Sequence, residues 1–186
     1  FDYVTINVSS PNTKNLRDLQ KPETLEKILK EVNNINVSLK RKVPIFIKIA
    51  PDLNDGNVTE ILSVCEENNV SGLIATNTTI NPKTLKNPNS FKGGLSGKPL
   101  YNQSNKILRL LAKRKKESTV LIGVGGIFSA AEIYEKIMMG ASAVQIYTSF
   151  IYNGPTHIKK MEIELKNLLL NDGYSSINEA VGGLIR

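Results

Sequence analysis

The sequence contains one cysteine, one histidine and no apolar run near the roughly 18 residues that a membrane-spanning helix requires. A lone Cys65 excludes a disulfide or a cysteine-rich metal site within the chain. Its place at an apolar-periodic position in Ile61-Leu62-Ser63-Val64-Cys65 assigns it to core packing. With His157 as the sole histidine, chemistry that needs a pair of histidines lacks its parts, so the reaction must draw on other groups. No basic, apolar, small-residue leader opens the chain, and any membrane contact is expected from sequence outside it. Acidic residues are outnumbered, 17 against 24 Lys and Arg, giving a net charge of +7. The basic residues are scattered through helix-like stretches, and the densest run, Arg114 to Lys116, reads as a solvated helix C-terminus. No nucleic-acid partner is expected.

What is present is the composition of one globular domain: 186 residues, 40% hydrophobic and 22% charged. Five short apolar or β-branched runs, Tyr3 to Val8, Pro44 to Ile49, Gly72 to Thr76, Val120 to Val124 and Ala143 to Tyr147, are predicted strands. Between and after them, helical periodicity predicts helices at about Glu23 to Asn33, Asp55 to Asn68, Gln103 to Lys115, Ala130 to Met139 and Pro155 to Asn171. This alternation is the signature of βα units on a parallel sheet. Polar and glycine-rich residues follow each strand, which points to ligand binding at the C-terminal end of the sheet. Because Phe1 to Val8 reads as a strand with nothing before it, the chain is expected to begin inside a fold, as the C-terminal five βα units of a (β/α)₈ barrel; an open sheet is the alternative. Ile80 to Leu100 is about twice the usual βα loop length and is expected to cover a substrate.

Three features carry chemistry. Gly125-Gly126 lies between a strand and a helix that Ser129 can cap, so backbone amides and a helix N-terminus suit a phosphate there. Lys48 ends its strand among apolar residues, where its amine either reaches solvent or stabilises an anion such as the pyrimidine edge of a reduced flavin. Asn7, Asn12 and Asn77 offer donors and acceptors to a planar, amide-bearing ring, although asparagine also serves as a turn residue.

The strings Asn7-Val8-Ser9-Ser10-Pro11-Asn12-Thr13, Lys48-Ile49-Ala50-Pro51-Asp52-Leu53, Thr76-Asn77-Thr78-Thr79, Gly93-Gly94-Leu95-Ser96-Gly97-Lys98-Pro99-Leu100, Gly123-Val124-Gly125-Gly126 and Gln145-Ile146-Tyr147-Thr148 resemble the class 2 dihydroorotate dehydrogenases, in family order over nearly the whole chain. The resemblance implies an FMN enzyme that oxidises dihydroorotate to orotate in pyrimidine synthesis and passes electrons to a quinone. It implies that residues 1–186 are the C-terminal portion of a single FMN-binding barrel domain. Ser10 then stands at the position of the catalytic base; Asn7, Lys48, Thr76, Ser96, Gly97, Gly125, Gly126, Tyr147 and Thr148 stand at flavin-holding positions; and Asn7, Asn12, Asn77 and Thr78 stand at orotate-binding positions.

Soluble class 1 relatives, and a dihydropyrimidine dehydrogenase domain as a second flavin-barrel reading, would carry cysteine where Ser10 stands. A third reading is an isolated part without activity, since a five-stranded arc leaves two open edges. Asn15 replaces a glycine common in relatives, in a turn where asparagine tolerates positive φ. Quinone binding and membrane association are expected through a preceding region. The resemblance places such proteins at the mitochondrial inner membrane, with the bacterial cytoplasmic membrane as the alternative.

Overall fold

The computed structural model describes residues 1–81 and 93–185. Five strands, β1 (Val4–Asn7), β2 (Ile45–Ile49), β3 (Gly72–Ala75), β4 (Val120–Val124) and β5 (Ala143–Gln145), form one sheet in the order β1-β2-β3-β4-β5, every pair parallel. A doubly wound sheet would reverse its strand order at a switch point, whereas strictly sequential neighbours are what an arc of a (β/α)₈ barrel requires. β1 and β5 occupy the two edges.

The period of two in each strand separates the faces. Ile47, Ile49, Leu73, Ala75 and Leu121 point into the main core, built with Leu25 and Leu29 of α1 (Pro22–Ser38), Val58, Ile61, Leu62 and Cys65 of α2 (Asp55–Glu67), Ile107, Leu108 and Leu111 of α3 (Tyr101–Arg114) and Ile133 and Ile137 of α4 (Ala130–Met138). Phe46, Ile74 and Ile122, alternating with them, form a small separate cluster with Val124 on the opposite face. Lys48, two residues beyond Phe46, shares that second face, as does Asn7, its register partner on β1.

The five predicted strands are therefore present, each shortened by at most two residues at an end. The predicted helices are present as well. Asn54 caps α2 through Asn57 N–H (2.8 Å), and Ser129 caps α4 as anticipated, accepting from Glu132 N–H (3.4 Å), while Glu132 accepts from Phe128 N–H (2.5 Å). Pro22 and Pro155 open α1 and α6 (Pro155–Asn171), where a missing N–H costs nothing. α1 runs five residues past its expected end at Asn33. The Asn36 amide accounts for this: it accepts from Val43 N–H (2.9 Å) and donates to Val43 C=O (3.0 Å), tying the last turn to the start of β2.

Four short elements escaped the periodicity: 3-10 turns at Leu16–Gln20 and Lys98–Leu100, and helices α5 (Thr148–Asn153) and α7 (Ile177–Ala180). Each is too short to display a helical repeat. Asn15, at φ 61°, does take the left-handed conformation expected of it and opens the first of these turns. Of the long loop, residues 82–92 lie outside the described residues, and with them the expected substrate cover; its flanks are joined by a bridge between Thr79 and Leu95.

Candidate functional site

The C-terminal ends of β2 to β5 frame a cleft of about 260 Å³. Its walls include Lys48, Thr76, Asn77, Thr78, Ser96, Gly97, Gly125, Gly126, Tyr147 and Thr148, ten of the thirteen residues singled out in the sequence, drawn from segments 100 residues apart. Gln145, Phe128 and Ser149 line it too, with the apolar Leu100, Val124, Ile127 and Ile146, and none of the seven was among the expected site residues.

One end of the cleft is shaped by glycine. Gly125 and Gly126 have φ of 117° and 75°, the region that side chains disfavour. A Cβ on Gly126 would lie 2.7 Å from Tyr101 Cα and 2.9 Å from its backbone N, so the turn rests directly on the start of α3. Ser149 Oγ lines the same cleft, is buried, and has no hydrogen-bond partner among the described residues. Thr148 Oγ1 donates to, or accepts from, Ser96 Oγ at 2.9 Å, joining the loop after β5 to the loop before α3. Gly97, at φ 80°, packs against the Thr148 methyl.

At the other end stands Lys48. No side chain among the described residues pairs with its ammonium, and burial pulls its pKa below the ordinary lysine value. The sequence left open whether this amine reaches solvent or faces the site; it faces the cleft.

Asn7, Ser10 and Asn12 do not line the cleft. Asn7 reaches it through one bond: Asn77 Nδ2 donates to Asn7 Oδ1 (3.1 Å) and Ser9 Oγ (3.1 Å), while Ser9 Oγ donates to Asn7 Oδ1 (3.1 Å). Ser10 opens instead into a neighbouring hollow of about 200 Å³ with Thr13, Lys14 and Arg17. Its hydroxyl accepts from Asn12 N–H at 3.3 Å. Among the described residues no carboxylate or histidine is bonded to it.

Arg17, which the sequence reading passed over, ties these loops together. Its Nε donates to Ser9 C=O (3.1 Å), one terminal nitrogen to Asp52 (2.8 Å) and the other to Thr78 C=O (2.9 Å). Asp52 also accepts from Thr79 Oγ1, Ile80 N–H (3.1 Å) and Gln103 Nε2 (3.1 Å). The 3-10 turn carrying Arg17 is pinned under β2 by Gln20, whose side-chain oxygen accepts from Ala50 N–H (2.9 Å). The available signal was Asp52 within the Lys48 to Leu53 string: a carboxylate just after a strand in a ligand-facing loop needs a cationic or hydrogen-bonding partner.

The residues present fit an elongated, planar ligand with an anionic tail. The glycine turn and unpartnered Ser149 hydroxyl suit the tail, and the unpaired Lys48 ammonium suits a ring edge that gains negative charge. Among the described residues there is no group of His, Cys, Asp or Glu that could hold a metal ion.

Residues 1–169 match the family model described as dihydroorotate dehydrogenase. The chain is 44% identical over 182 residues to a dihydroorotate dehydrogenase (quinone) of Cereibacter sphaeroides, covering 97% of this chain and 51% of the relative. It is 48% identical over 163 residues to one of Christiangramia forsetii, covering 86% of this chain and 48% of the relative. The crystal structure of a ligand-free DHODH from Eimeria tenella superposes with a TM-score of 0.94 at 37% identity, over all of this chain and 56% of that one. The chain thus spans about half the length of the curated relatives it matches. The superposition bears out the fold reading as the C-terminal five βα units of a barrel. The mitochondrial expectation is corrected: the quinone-type relatives at 42–48% identity are bacterial, and bacteria have no mitochondrion. No helix among the described residues is long and apolar enough to cross a membrane.

Proposed function

The chain belongs to the dihydroorotate dehydrogenase family, and from that premise we propose that it forms the C-terminal, FMN-binding part of a single barrel domain in an enzyme that oxidises dihydroorotate to orotate for pyrimidine synthesis, with a quinone as electron acceptor. The observation that carries this reading is the cleft at the ends of β2 to β5, which brings together ten residues from motifs scattered over the chain. FMN would supply the redox chemistry, accepting hydride from dihydroorotate and passing electrons onward.

This chain's residues have separable tasks. Gly125, Gly126, Ser96, Gly97, Tyr147 and Thr148 hold the phosphate end, where positive φ and close backbone approach leave room that side chains would fill. Lys48 and Thr76 border the ring, and the Lys48 ammonium lowers the energy of negative charge there because no carboxylate of the described residues pairs with it. Asn7, Asn12, Asn77 and Thr78 hold the pyrimidine through amide and hydroxyl groups. Asn77 is oriented for this by its two bonds to Asn7 and Ser9.

Ser10 removes the proton from C5 of dihydroorotate. An ordinary hydroxyl is a weak base, so the proton must pass on to a further acceptor as it is taken. Serine at this position also favours the quinone-linked class over flavin barrels that use cysteine. Quinone and membrane contact are assigned to sequence outside residues 1–186. The direct test is dihydroorotate-dependent reduction of a water-soluble quinone analogue by the full-length protein loaded with FMN. Turnover supports the reading, and none with FMN bound contradicts it.

A further inference from the structure

Among the described residues Lys136 is the only charged residue that is fully buried, at 0% exposure. It lies on α4, on the side of β4 away from the cleft. Its hydrogen-bond acceptors are neutral: Ser104 Oγ at 2.9 Å and Asn105 Oδ1 at 2.5 Å, with the Tyr101 ring centroid 5.2 Å away. Two carboxylates on its own helix, Glu135, which accepts from the Tyr101 hydroxyl (2.5 Å), and Glu132, which accepts from Phe128 N–H (2.5 Å), attract the ammonium without forming an ion pair with it. No ion pair of the described residues includes Lys136. A buried ammonium with only neutral acceptors is costly unless a counter-charge is within reach.

The side chain also sets this charge behind the glycine turn. Its shaft packs against Gly123 of β4, whose Cβ, if present, would stand 3.0 Å from Lys136 Cδ. The ammonium bonds Ser104, and Ser104 Oγ in turn lies 3.3 Å from Gly125 C=O and 3.0 Å from the place a Gly125 Cβ would take. One hydroxyl therefore separates the charge from the back of the Gly125-Gly126 turn, whose front lines the cleft.

We propose that Lys136 is a positioning residue for the anionic tail of the cleft's ligand, acting from behind the glycine turn: it supplies the positive potential felt there and, through Ser104, holds the turn in place. The inference rests on the FMN reading and deepens it, making Lys136 a determinant of selectivity for the phosphorylated flavin over riboflavin. Burial pulls its pKa to about 8, against the pull of Glu135 and Glu132.

The test is titration of flavin-stripped full-length protein with FMN and with riboflavin, following flavin fluorescence, for wild type, Lys136→Met and Ser104→Ala. Lys136→Met should lower the preference for FMN over riboflavin by about tenfold, leaving riboflavin affinity within about twofold. A purely structural lysine would weaken both flavins alike, and an unchanged ratio overturns the inference. Should Lys136→Met not fold, Ser104→Ala decides, since it unhooks the ammonium from the turn: a fall of about threefold supports the inference and an unchanged ratio overturns it. Wild type that binds neither flavin overturns the FMN reading and this inference together. Wild type that prefers FMN, with a variant that prefers it equally, overturns the inference alone.

Discussion

Arg17 and Asp52, 35 residues apart, meet at 2.8 Å, and the remaining donors of the same guanidinium hold the backbone carbonyls of Ser9 and Thr78. One side chain thus spans the loops after β1, β2 and β3, of which the first and third carry the proposed substrate residues. Arg17→Met removes the cation, leaves the Asp52 carboxylate partly buried and frees two carbonyls. The expected loss is about 1.5–3 kcal/mol, or on the order of 5 °C in Tm by calorimetry. Because its loops bear the pyrimidine contacts, KM for dihydroorotate should rise while FMN retention stays close to wild type. An FMN loss larger than the KM change would count against this division of labour.

Asn77 lines the cleft with its Nδ2 held by Asn7 and Ser9 and its Oδ1 accepting from Thr78 N–H at 2.8 Å. Asn77→Ala should weaken orotate binding by about 1–3 kcal/mol, roughly 5- to 150-fold, measured as product inhibition or by calorimetric titration. The flavin absorption spectrum should change little.

Gly126→Ala asks a side chain to adopt φ 75° while facing the backbone of Tyr101 at 2.7–2.9 Å. The conformational penalty alone is about 1–2 kcal/mol, with the clash added to it. The variant should purify with little bound FMN, seen as loss of the visible flavin bands. Full FMN occupancy would show that the turn does not approach the ligand.

These expectations depend on features the sequence displayed unequally. The sheet was legible because each strand is a short apolar run set against long amphipathic helices, and the glycine turn because Gly125-Gly126 falls between a strand and a capped helix. Lys136 was not. A lysine in Ala130-Ala131-Glu132-Ile133-Tyr134-Glu135-Lys136-Ile137 reads as solvated surface, although it sits three residues after Ile133 and one before Ile137, at the margin of the buried stripe. Arg17 was equally hidden, since its partners come from loops 35 and 61 residues further on. The separation of Ser10 from the cleft was also invisible, because Ser9 and Ser10 are adjacent and only the chain's path shows that Ser9 joins the asparagine network while Ser10 opens into the neighbouring hollow.

Lys136 also leaves a mark on stability. Its folded pKa of about 8 is below the 10.5 of an unperturbed lysine, so between these values the unfolded chain holds the proton more tightly than the folded one. Wild-type stability therefore gains as pH rises from 8 to 10.5, and the charge penalty is fully present below 8. Lys136→Met, with Tyr101, Glu132 and Glu135 left in place, lacks that gain. The difference in Tm between variant and wild type should thus move against the variant across this window. A difference that is flat with pH would mean that Lys136 titrates normally.

Cys65 is buried, and burial pushes its thiol up to about 12, with Glu66 adding to the shift. It should resist iodoacetamide at pH 8 in the folded protein and react after denaturation, as followed by mass spectrometry. Rapid labelling of the folded state would contradict the core position.

The most direct measurement is the visible spectrum of the FMN-loaded full-length protein, mixed anaerobically with dihydroorotate, for wild type and Ser10→Ala. The flavin bands should bleach in wild type, and bleaching should slow by roughly 10²–10⁴-fold in the variant, the usual contribution of a positioned proton acceptor. Flavin that stays oxidised in wild type, or bleaches equally fast without Ser10, would contradict the proposed chemistry.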